Sequence, residues 1–403
     1  MAKSIESVFE VTLPMRIFCK AFGFQLFTVF KSEKESQKIK ASSIDIICGI
    51  FSFTCYAVVL GVNIKWDIYD GYTSSLSMNL ISRCIAIYGS LVQAVGVLIN
   101  IYFRKCNLRL LQNLHKCDSI MRIHNIDQNF ARQYRVILRG VIGFVGLMML
   151  LAITTLLLHG DVAGMSAMRH LCHTNAFVIT ISYVAFMLQF IFTLMVIRWR
   201  FSTLNNAFRK RFSLGRVQEF SVRKVDALKL FWKENAVFIT DLSIMHDLLT
   251  DSVSLLNSCF SVQAMCWICA SFGLNVLGFY TFYRCIVQNR WDELLITAIY
   301  AIWQSYDYMF VLLAIKEGSN ITRQSRKMAI LIHKAINKHM DSPPLTEKLK
   351  LLSQQLLHRR PEVSCGFFTF DWPFVAATVG AMSMYLTIMI QFDATASATA
   401  SSA

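Results

Sequence analysis

The chain has 403 residues, of which 55% are hydrophobic and only 16% are charged, and its mean hydropathy is +0.47. Soluble proteins carry about 25% charged residues, so this length does not indicate two or three soluble domains. Too few residues are polar for a disordered chain. The composition instead predicts a polytopic membrane protein. The net charge of +15 fits either a nucleic-acid partner or basic cytoplasmic loops, so the positions of the charges must decide.

Seven stretches of the sequence are long and apolar enough to cross a bilayer, which takes about 20 residues of helix. The fifth is long enough to continue beyond the bilayer. The sequence therefore predicts an all-α membrane protein in which residues 44–392 form a seven-helix transmembrane bundle. The predicted spans are Ile44–Ile64, Met78–Phe103, Gly140–Leu158, Ala176–Ile197, Val253–Tyr283, Glu293–Ile315 and Phe367–Phe392.

Lysine and arginine are distributed very unevenly between the segments that join these spans. Of the 40 such residues, 35 fall on one side of the predicted membrane and four on the other. Basic loops stay in the cytoplasm. We therefore predict a cytoplasmic N-terminus, an extracellular C-terminus, contact with anionic membrane lipid and no nucleic-acid partner. The cytoplasmic segments are residues 1–43, 104–139, 198–252 and 316–366; residues 393–403 form a short, low-complexity extracellular tail that we expect to be disordered.

The cytoplasmic segments have the residue spacing of helices. Four leucines recur at intervals of three or four residues after the pair Pro343-Pro344: Leu345, Leu349, Leu352 and Leu356. Such an apolar stripe needs a partner, so we expect helical extensions of the spans that pack together beneath the membrane. Near the N-terminus, the apolar patch Phe22–Phe30 predicts a short helix along the membrane surface.

The sequence contains no phosphate-binding loop, no HExxH and no nucleophile elbow. We predict that the protein is not an enzyme, with no catalytic residue and no cofactor. The HxCH run His170–His173 lies in a short outer loop and is too weak a pattern to predict a metal site. Cys266 and Cys269 fall within the fifth span, where cysteine is a small apolar residue. A disulfide between Cys172 and Cys285, both on the outer side, is left open.

Polar side chains within spans are costly in lipid, so they mark positions that face protein or water. Arg83 lies a few residues into the second span from the outside. Asp307 lies near the middle of the sixth, beside Gln304 and one turn from Trp303. Because no basic residue is near it in sequence, Asp307 indicates either a water-filled cavity or a distant partner such as Arg83.

Tyrosines and tryptophans gather in the outer halves of several spans. Each of them alone also fits the aromatic belt of a membrane interface. Together with the polar residues they predict a small-molecule pocket that opens outward. The candidate ligand-binding residues are Arg83, Tyr280, Tyr283, Tyr300, Trp303, Gln304 and Asp307, with Tyr88 and Tyr183 as further aromatic residues of the same zone.

The last span carries the most informative run of residues. Pro373 predicts a break or kink at the start of the helix, and Gly380 and Ser383 are small enough for close helix approach. Further along, one stripe of the helix collects residues at intervals of three and four: Met384, Ile388 and then either Gln391 or Phe392. In a symmetric assembly this stripe can line a pore, with Met384 and Ile388 as an apolar constriction and Gln391 as an amide ring at the outer mouth.

This ending resembles that of the insect gustatory receptor family, whose last span carries Thr-Tyr, five apolar residues and Gln-Phe. Tyr385, Gln391 and Phe392 match at the right spacing. Met384 stands in place of the threonine, and Thr387 interrupts the apolar five. The resemblance in length, spans and orientation covers almost the whole chain.

Two further positions bear on the resemblance. The upstream Gly366-Phe367-Phe368 run with Asp371 is also similar to the family. Receptors of the sugar clade typically carry Glu directly after the tyrosine, whereas Leu386 stands there in this sequence. The resemblance therefore points away from that clade and leaves the ligand open among sugars, bitter compounds and amino acids.

The resemblance implies a ligand-gated, non-selective cation channel in the plasma membrane of sensory neurons. It implies a homotetramer, or a heterotetramer with related receptors, in which residues 367–392 of four subunits surround one pore for monovalent and divalent cations. A small-molecule tastant would bind in the outer part of each subunit's bundle.

Two other classes also have to be weighed. A G-protein-coupled receptor has seven spans, but its N-terminus is outside, which would place the basic loops on the wrong side, and the last span lacks Asn-Pro-x-x-Tyr. A small-solute transporter would show repeated halves or paired broken helices, and none is visible in the sequence.

Overall fold

The computed structural model describes residues 7–25, 28–29, 39–40, 43–65, 76–160, 167–212, 225–287, 289, 291–338 and 343–402. Over these ranges the chain is almost wholly helical, which confirms the predicted all-α class. The helices are α1 (Val8–Val11), α2 (Leu13–Ala21), α3 (Ser43–Lys65), α4 (Leu76–Tyr102), α5 (Arg104–Ile123), α6 (Phe130–Gly160), α7 (Ala167–Arg211), α8 (Val225–Val287), α9 (Trp291–Lys338), α10 (Pro343–His358) and α11 (Trp372–Ser402).

The chain holds a set of helices with the length and apolar character of membrane spans. In the described part, six of them meet both criteria, and a seventh is obtained if α4 and α5, which meet at a bend of 61°, are taken together. The seven predicted spans each fall mainly on one of these helices, α3, α4, α6, α7, α8, α9 and α11. The fifth predicted span lies within α8, which has 63 residues and so continues far beyond a bilayer, as we expected.

The N-terminal segment differs from the prediction of a surface helix over Phe22–Phe30. Helix α2 ends at Ala21, because Gly23 takes a left-handed conformation with φ of 77°. The chain then forms a two-stranded antiparallel sheet of β1 (Thr28–Val29) and β2 (Ile39–Lys40). Phe24 is completely buried, with its ring 6.1 Å from that of Phe186. This phenylalanine belongs to the protein core and not to a lipid-facing surface.

Helix α7 is the central helix of the bundle. It packs against α2, α4, α6, α8 and α9. Its side chains are buried almost continuously from Ser182 to Thr193. Four other spans, α4, α6, α8 and α9, therefore surround one helix that has little contact with lipid.

The half of the bundle that we predict to be cytoplasmic is held by apolar contacts and by one buried ion pair. The four leucines of α10 are all buried against α8 and α9, as their spacing predicts. Arg200 of α7 donates from Nε and Nη2 to the two carboxylate oxygens of Asp118 on α5, at 3.1 and 3.0 Å, and from Nη1 to Gln133 Oε1 at 3.0 Å. This paired geometry satisfies a charge that would otherwise be costly to bury.

The C-terminal tail also differs from the prediction of disorder. Helix α11 continues through the Ala- and Ser-rich residues to Ser402. Alanine has the highest helix propensity of all residues, and Thr395 Oγ1 donates to the carbonyl oxygen of Gln391 at 2.9 Å. The tail therefore prolongs the last span.

Candidate ligand pocket and pore helix

One face of α9 brings together the residues most suited to hold a small molecule. Trp303, Tyr306, Asp307 and Phe310 are spaced at i, i+3, i+4 and i+7, which places them on one side of the helix. Tyr306 and Phe310 are buried. This face packs against α6, α7 and α8.

Six aromatic side chains from four helices meet at this face, and we call them the aromatic cluster: Phe144 of α6, Tyr183 of α7, Trp267 of α8, and Trp303, Tyr306 and Phe310 of α9. The ring of Tyr183 lies 4.7 Å from that of Trp267 and 5.8 Å from that of Phe310. Phe310 is also 5.0 Å from Phe144 and 5.1 Å from Tyr306. These separations are those of favourable tilted and edge-to-face pairs.

The polar atoms of the cluster fix its rings in place. The Tyr183 hydroxyl donates to the backbone carbonyl of Asp307 at 2.8 Å, and the Tyr306 hydroxyl donates to that of Phe144 at 2.8 Å. Trp303 Nε1 donates to Thr155 Oγ1 at 3.0 Å. These bonds tie α6, α7 and α9 together around the rings.

The carboxylate of Asp307 and the indole Nε1 of Trp267 lack such partners in the described part of the chain. Within those residues the Asp307 carboxylate accepts no hydrogen bond and forms no salt bridge, and its Oδ1 is inaccessible to solvent. Arg83, the distant partner suggested by the sequence, instead donates from Nη2 to the carbonyl oxygen of Ile64 on α3, at 3.1 Å. The suggestion that Arg83 pairs with Asp307 is therefore wrong, because the Arg83 guanidinium binds the C-terminal end of the neighbouring helix α3.

The other predicted pocket residues are dispersed. Gln304 packs so closely on Gly278 of α8 that a Cβ there would lie 1.6 Å from Oε1. Tyr280 lies near the C-terminal end of α8, with its ring 6.0 Å from the Arg284 guanidinium. Tyr283 is half-buried near the same end. The side chain of Tyr300 lies outside the described residues. The structure thus brings Trp303 and Asp307 to the aromatic cluster, whereas Arg83 and Tyr280 lie elsewhere.

Cys285 does not form the bridge with Cys172 that the sequence left open. Cys285 is a buried free thiol whose Sγ lies 3.2 Å from Thr297 Oγ1. The side chains of the HxCH run His170–His173 fall outside the described residues. In the rest of the chain that is described, no three His, Cys, Asp or Glu side chains are grouped so as to hold a metal ion.

The last span begins at a well-defined cap. Asp371 Oδ1 accepts from the amide of Phe374 at 3.2 Å, and Thr369 Oγ1 donates to Asp371 Oδ2 at 2.8 Å. Pro373 occupies the first turn, where its missing N–H costs nothing. Just before the cap, the chain turns tightly at Gly366, whose φ is 91°, a conformation that favours glycine. The sequence predicts this start, although not the role of Asp371.

The rest of α11 is largely uncovered within one subunit. Only 6% of its most apolar stretch is buried. Met384, Ile388 and Phe392 are all exposed, as is Gln391. The contacts that do hold α11 are to α8 and α9.

Two contacts hold the C-terminal part of α11 against α8. The ring of Tyr385 lies 5.8 Å from that of Phe272. Arg284 Nε lies 3.6 Å from Asp393 Oδ2. One side of the helix is thus fixed, while the stripe with Met384 and Ile388 is left free.

Comparison with known proteins places these features in a family. The family model described as 7tm chemosensory receptor matches residues 12–395, nearly the whole chain. The chain belongs to this chemosensory receptor family. The family resemblance inferred from Tyr385, Gln391 and Phe392 is therefore confirmed, and the protein is a multi-pass membrane receptor and not an enzyme.

Relatives of this chemosensory receptor are found among gustatory receptors of Drosophila melanogaster. It is 26% identical to gustatory and pheromone receptor 33a over 169 residues. The aligned region covers 39% of this chain and 35% of the relative. It is 31% identical to putative gustatory receptor 28a over 160 residues. That aligned region covers 38% of this chain and 35% of the relative. The matches thus span little more than a third of these relatives' lengths.

Solved structures share the fold of this chemosensory receptor. The insect olfactory receptor OR5 from Machilis hrabei superimposes on this chain with a TM-score of 0.61 at 12% sequence identity. The superposition covers 95% of this chain and 100% of the OR5 chain. The same receptor in complex with eugenol has a TM-score of 0.56 at 11% identity, over 95% of this chain and 97% of its own. At these identities the likeness concerns the fold alone.

The sequence did not point to several residues of the receptor's aromatic cluster. Trp267 lies in a long apolar run, and nothing in that run distinguishes it. Tyr306 and Phe310 could have been found, because they lie three and seven residues after Trp303 and so share its helix face. Thr155 is one of two adjacent threonines in α6, and only the folded structure shows that it accepts from Trp303.

Proposed function

We propose that this chain is one subunit of a ligand-gated, non-selective cation channel that acts as a gustatory receptor. The channel lies in the plasma membrane of sensory neurons. Four subunits, identical or of related receptors, surround a pore for monovalent and divalent cations. A small-molecule tastant opens it by binding in the outer part of the helix bundle.

The observation that carries this proposal is the uncovered last helix. Ser383, Thr387 and Gln391 recur every four residues, and all three are exposed. An amide facing hydrocarbon is costly, so this side of α11 requires other subunits or water. The adjacent Met384 and Ile388 would then narrow the pore, and Gln391 would offer amide oxygens to cations at its mouth.

The aromatic cluster supports the location of the tastant. It is apolar, is built from four helices and carries a few oriented polar groups, as small-molecule sites do. Trp303 and Asp307 are its members among the residues predicted from sequence. Gln304 packs between α9 and α8 and would relay movement of α9 to the helix that contacts α11.

Recordings from transfected cells test the proposed activity. We expect sugars, bitter compounds or amino acids, applied as a panel, to evoke a cation current that persists when G-protein signalling is blocked. Trp303→Ala should shift the dose for half-maximal current about tenfold or more, because it removes a ring and a hydrogen bond. A response that requires a G protein, or a counter-transported substrate, would contradict the channel.

Orientation has a separate test. With the N-terminus in the cytoplasm, the Asn320-Ile321-Thr322 acceptor for N-glycosylation lies inside and remains unmodified. Gly71→Asn creates a new acceptor, Asn-Tyr72-Thr73, in the first outer loop. We expect a glycosidase-sensitive band only in that variant. If wild type is glycosylated and Asn320→Gln is not, then Asn320 lies outside the cell and the proposed orientation is wrong.

A further inference from the structure

The carboxyl group of Asp307 belongs to a partly buried residue, and the described part of the chain supplies no partner for it. It lies in the candidate span Thr297–Lys338 of α9. Oδ1 is shielded from solvent, and no donor in the described chain reaches either oxygen. A carboxylate in such surroundings is strongly unfavourable unless it is paired. Without a partner the group would be driven to take up a proton, whereas a cation from outside the protein would stabilise the ionised form.

Three donors of the aromatic cluster, on Tyr183, Trp303 and Tyr306, are committed to acceptors other than the Asp307 carboxylate. The Tyr183 hydroxyl binds the backbone oxygen of Asp307 and not its carboxylate. The Tyr306 hydroxyl binds the carbonyl of Phe144, and the Trp303 indole binds Thr155. The arrangement therefore holds the rings rigidly and leaves the carboxylate free to accept.

The walls of the site also favour a positive charge. The ring of Phe310 lies 5.8 Å from that of Tyr183 and 5.1 Å from that of Tyr306, and Tyr306 directly precedes Asp307. Aromatic faces attract cations, and cages of such rings recognise ammonium groups. One carboxylate among rings is suited to one ammonium group, whereas a sugar needs many polar partners at once.

We propose that the tastant carries a protonated or quaternary ammonium group on an aromatic or apolar frame, and that Asp307 pairs with this ammonium. The inference rests on the proposed function, since it assigns the ligand class of the pocket proposed there. It specifies that the ligand is a cation and that Asp307 is the residue that pairs with it. It also explains why aromatic rings gather beside Asp307. The indole Nε1 of Trp267, buried and without a partner in the described chain, supplies one further donor for a polar group on the frame.

Binding to the purified full chain in lipid nanodiscs tests the pairing. The probes are phenethylamine and its neutral counterpart 2-phenylethanol, together with benzyltrimethylammonium and quinine as further cations. We expect the cations to bind more tightly than 2-phenylethanol. Asp307→Asn should weaken the cations about tenfold or more, because it removes one partner of a desolvated charge pair, and should leave 2-phenylethanol unchanged. Asp307→Glu should retain part of the preference.

Several results would overturn the assignment. These are failure of all three cations to bind, equal binding of phenethylamine and 2-phenylethanol, or an unchanged preference in Asp307→Asn. Glu347→Gln, which neutralises an exposed carboxylate on α10, is the matched control and should behave like wild type.

Thermal unfolding without ligand separates ligand binding from a structural role. We expect Asp307→Asn to be at least as stable as wild type, because it removes an unpaired buried charge. A clear loss of stability would mean that the carboxylate holds the fold together, and would contradict the inference. Glu347→Gln again serves as the control.

The two proposals can fail independently. Binding of cations that depends on Asp307 without any evoked current would leave this inference intact and contradict the channel. Suppose instead that only neutral molecules evoke currents, and that Asp307→Asn shows the same dose dependence as wild type. That result would support the channel and contradict the pairing of Asp307 with an ammonium group.

Discussion

Helices α7 and α11 are both apolar enough to cross a membrane, yet one subunit covers them very differently. In the most apolar part of each helix, 72% of residues are buried in α7 and 6% in α11. Hydropathy alone does not separate the two, since both exceed the level expected of a span. The difference shows that other helices of the same chain cover the apolar surface of α7, whereas they leave most of the surface of α11 uncovered.

Exposure alone does not distinguish lipid from another subunit, and α3 shows why. Only 17% of its most apolar part is buried, but its exposed side chains, such as Ile47, Phe51 and Val58, are those of a lipid-facing helix. Both helices expose a threonine that donates to the carbonyl four residues earlier, Thr54 and Thr387, but only α11 also exposes an amide, that of Gln391. An amide on an uncovered face indicates assembly, and the two kinds of exposed helix should therefore respond differently to substitution.

The largest effect is expected for a charge placed on α11. In Gln391→Arg, a tetramer would gain four positive charges at the pore mouth. At about 6 Å from a cation in water, these raise its energy by about 2–3 kcal/mol, so cation current should fall about ten- to hundredfold. Single-channel recording at equal surface expression measures this.

The matched control for that charge is on α3. In Ile64→Arg, the added charge sits at a helix end facing lipid, where it can extend to the interface, so conductance should stay near wild type. Unaltered conductance and permeability ratios in Gln391→Arg would contradict the pore assignment.

A second comparison tests burial itself. Phe201 of α7 is fully buried, with its ring 5.5 Å from that of His246, whereas Phe51 of α3 is 70% exposed. We expect Phe201→Ala to destabilise the protein by about 3–5 kcal/mol and Phe51→Ala by less than about 0.5 kcal/mol. Thermal unfolding of the purified variants in one detergent measures both. Equal losses would mean that α7 is not the enclosed helix described above.

The sequence predicts the helices of this protein better than it predicts its site. Apolar stretches of about 20 residues are sufficient to locate spans, because lipid demands them. The leucines of α10 were equally predictable, since a stripe at intervals of three and four needs a covered face. By contrast, the continuation of α11 through the tail to Ser402 was missed, because Ala- and Ser-rich residues resemble a linker in composition.

The candidate pocket depended on contacts between distant segments. Trp303 and Asp307 could be selected because polar and aromatic groups in a span are unusual. Arg83 was selected for the same reason, but its partner is the end of the neighbouring helix. Trp267 is separated from Tyr183 by more than eighty residues, and neither charge nor spacing connects them. A single sequence shows which groups are costly in lipid, but not which of them meet.

The smallest effect is expected at the first turn of α11. Few contacts within the subunit hold this helix, so its cap should contribute measurably to its stability. Asp371→Ala removes the acceptor of the Phe374 amide and should cost about 1 kcal/mol, which corresponds to about fivefold faster opening of this turn. Hydrogen exchange of the Phe374 amide measures it. Asp371→Asn keeps an oxygen acceptor and should exchange nearly as slowly as wild type, because asparagine caps helices about as well as aspartate. If Asp371→Ala exchanges no faster than Asp371→Asn, contacts with α8 and α9 rather than the cap fix the start of the helix, and α11 is better held by its own chain than its exposure suggests.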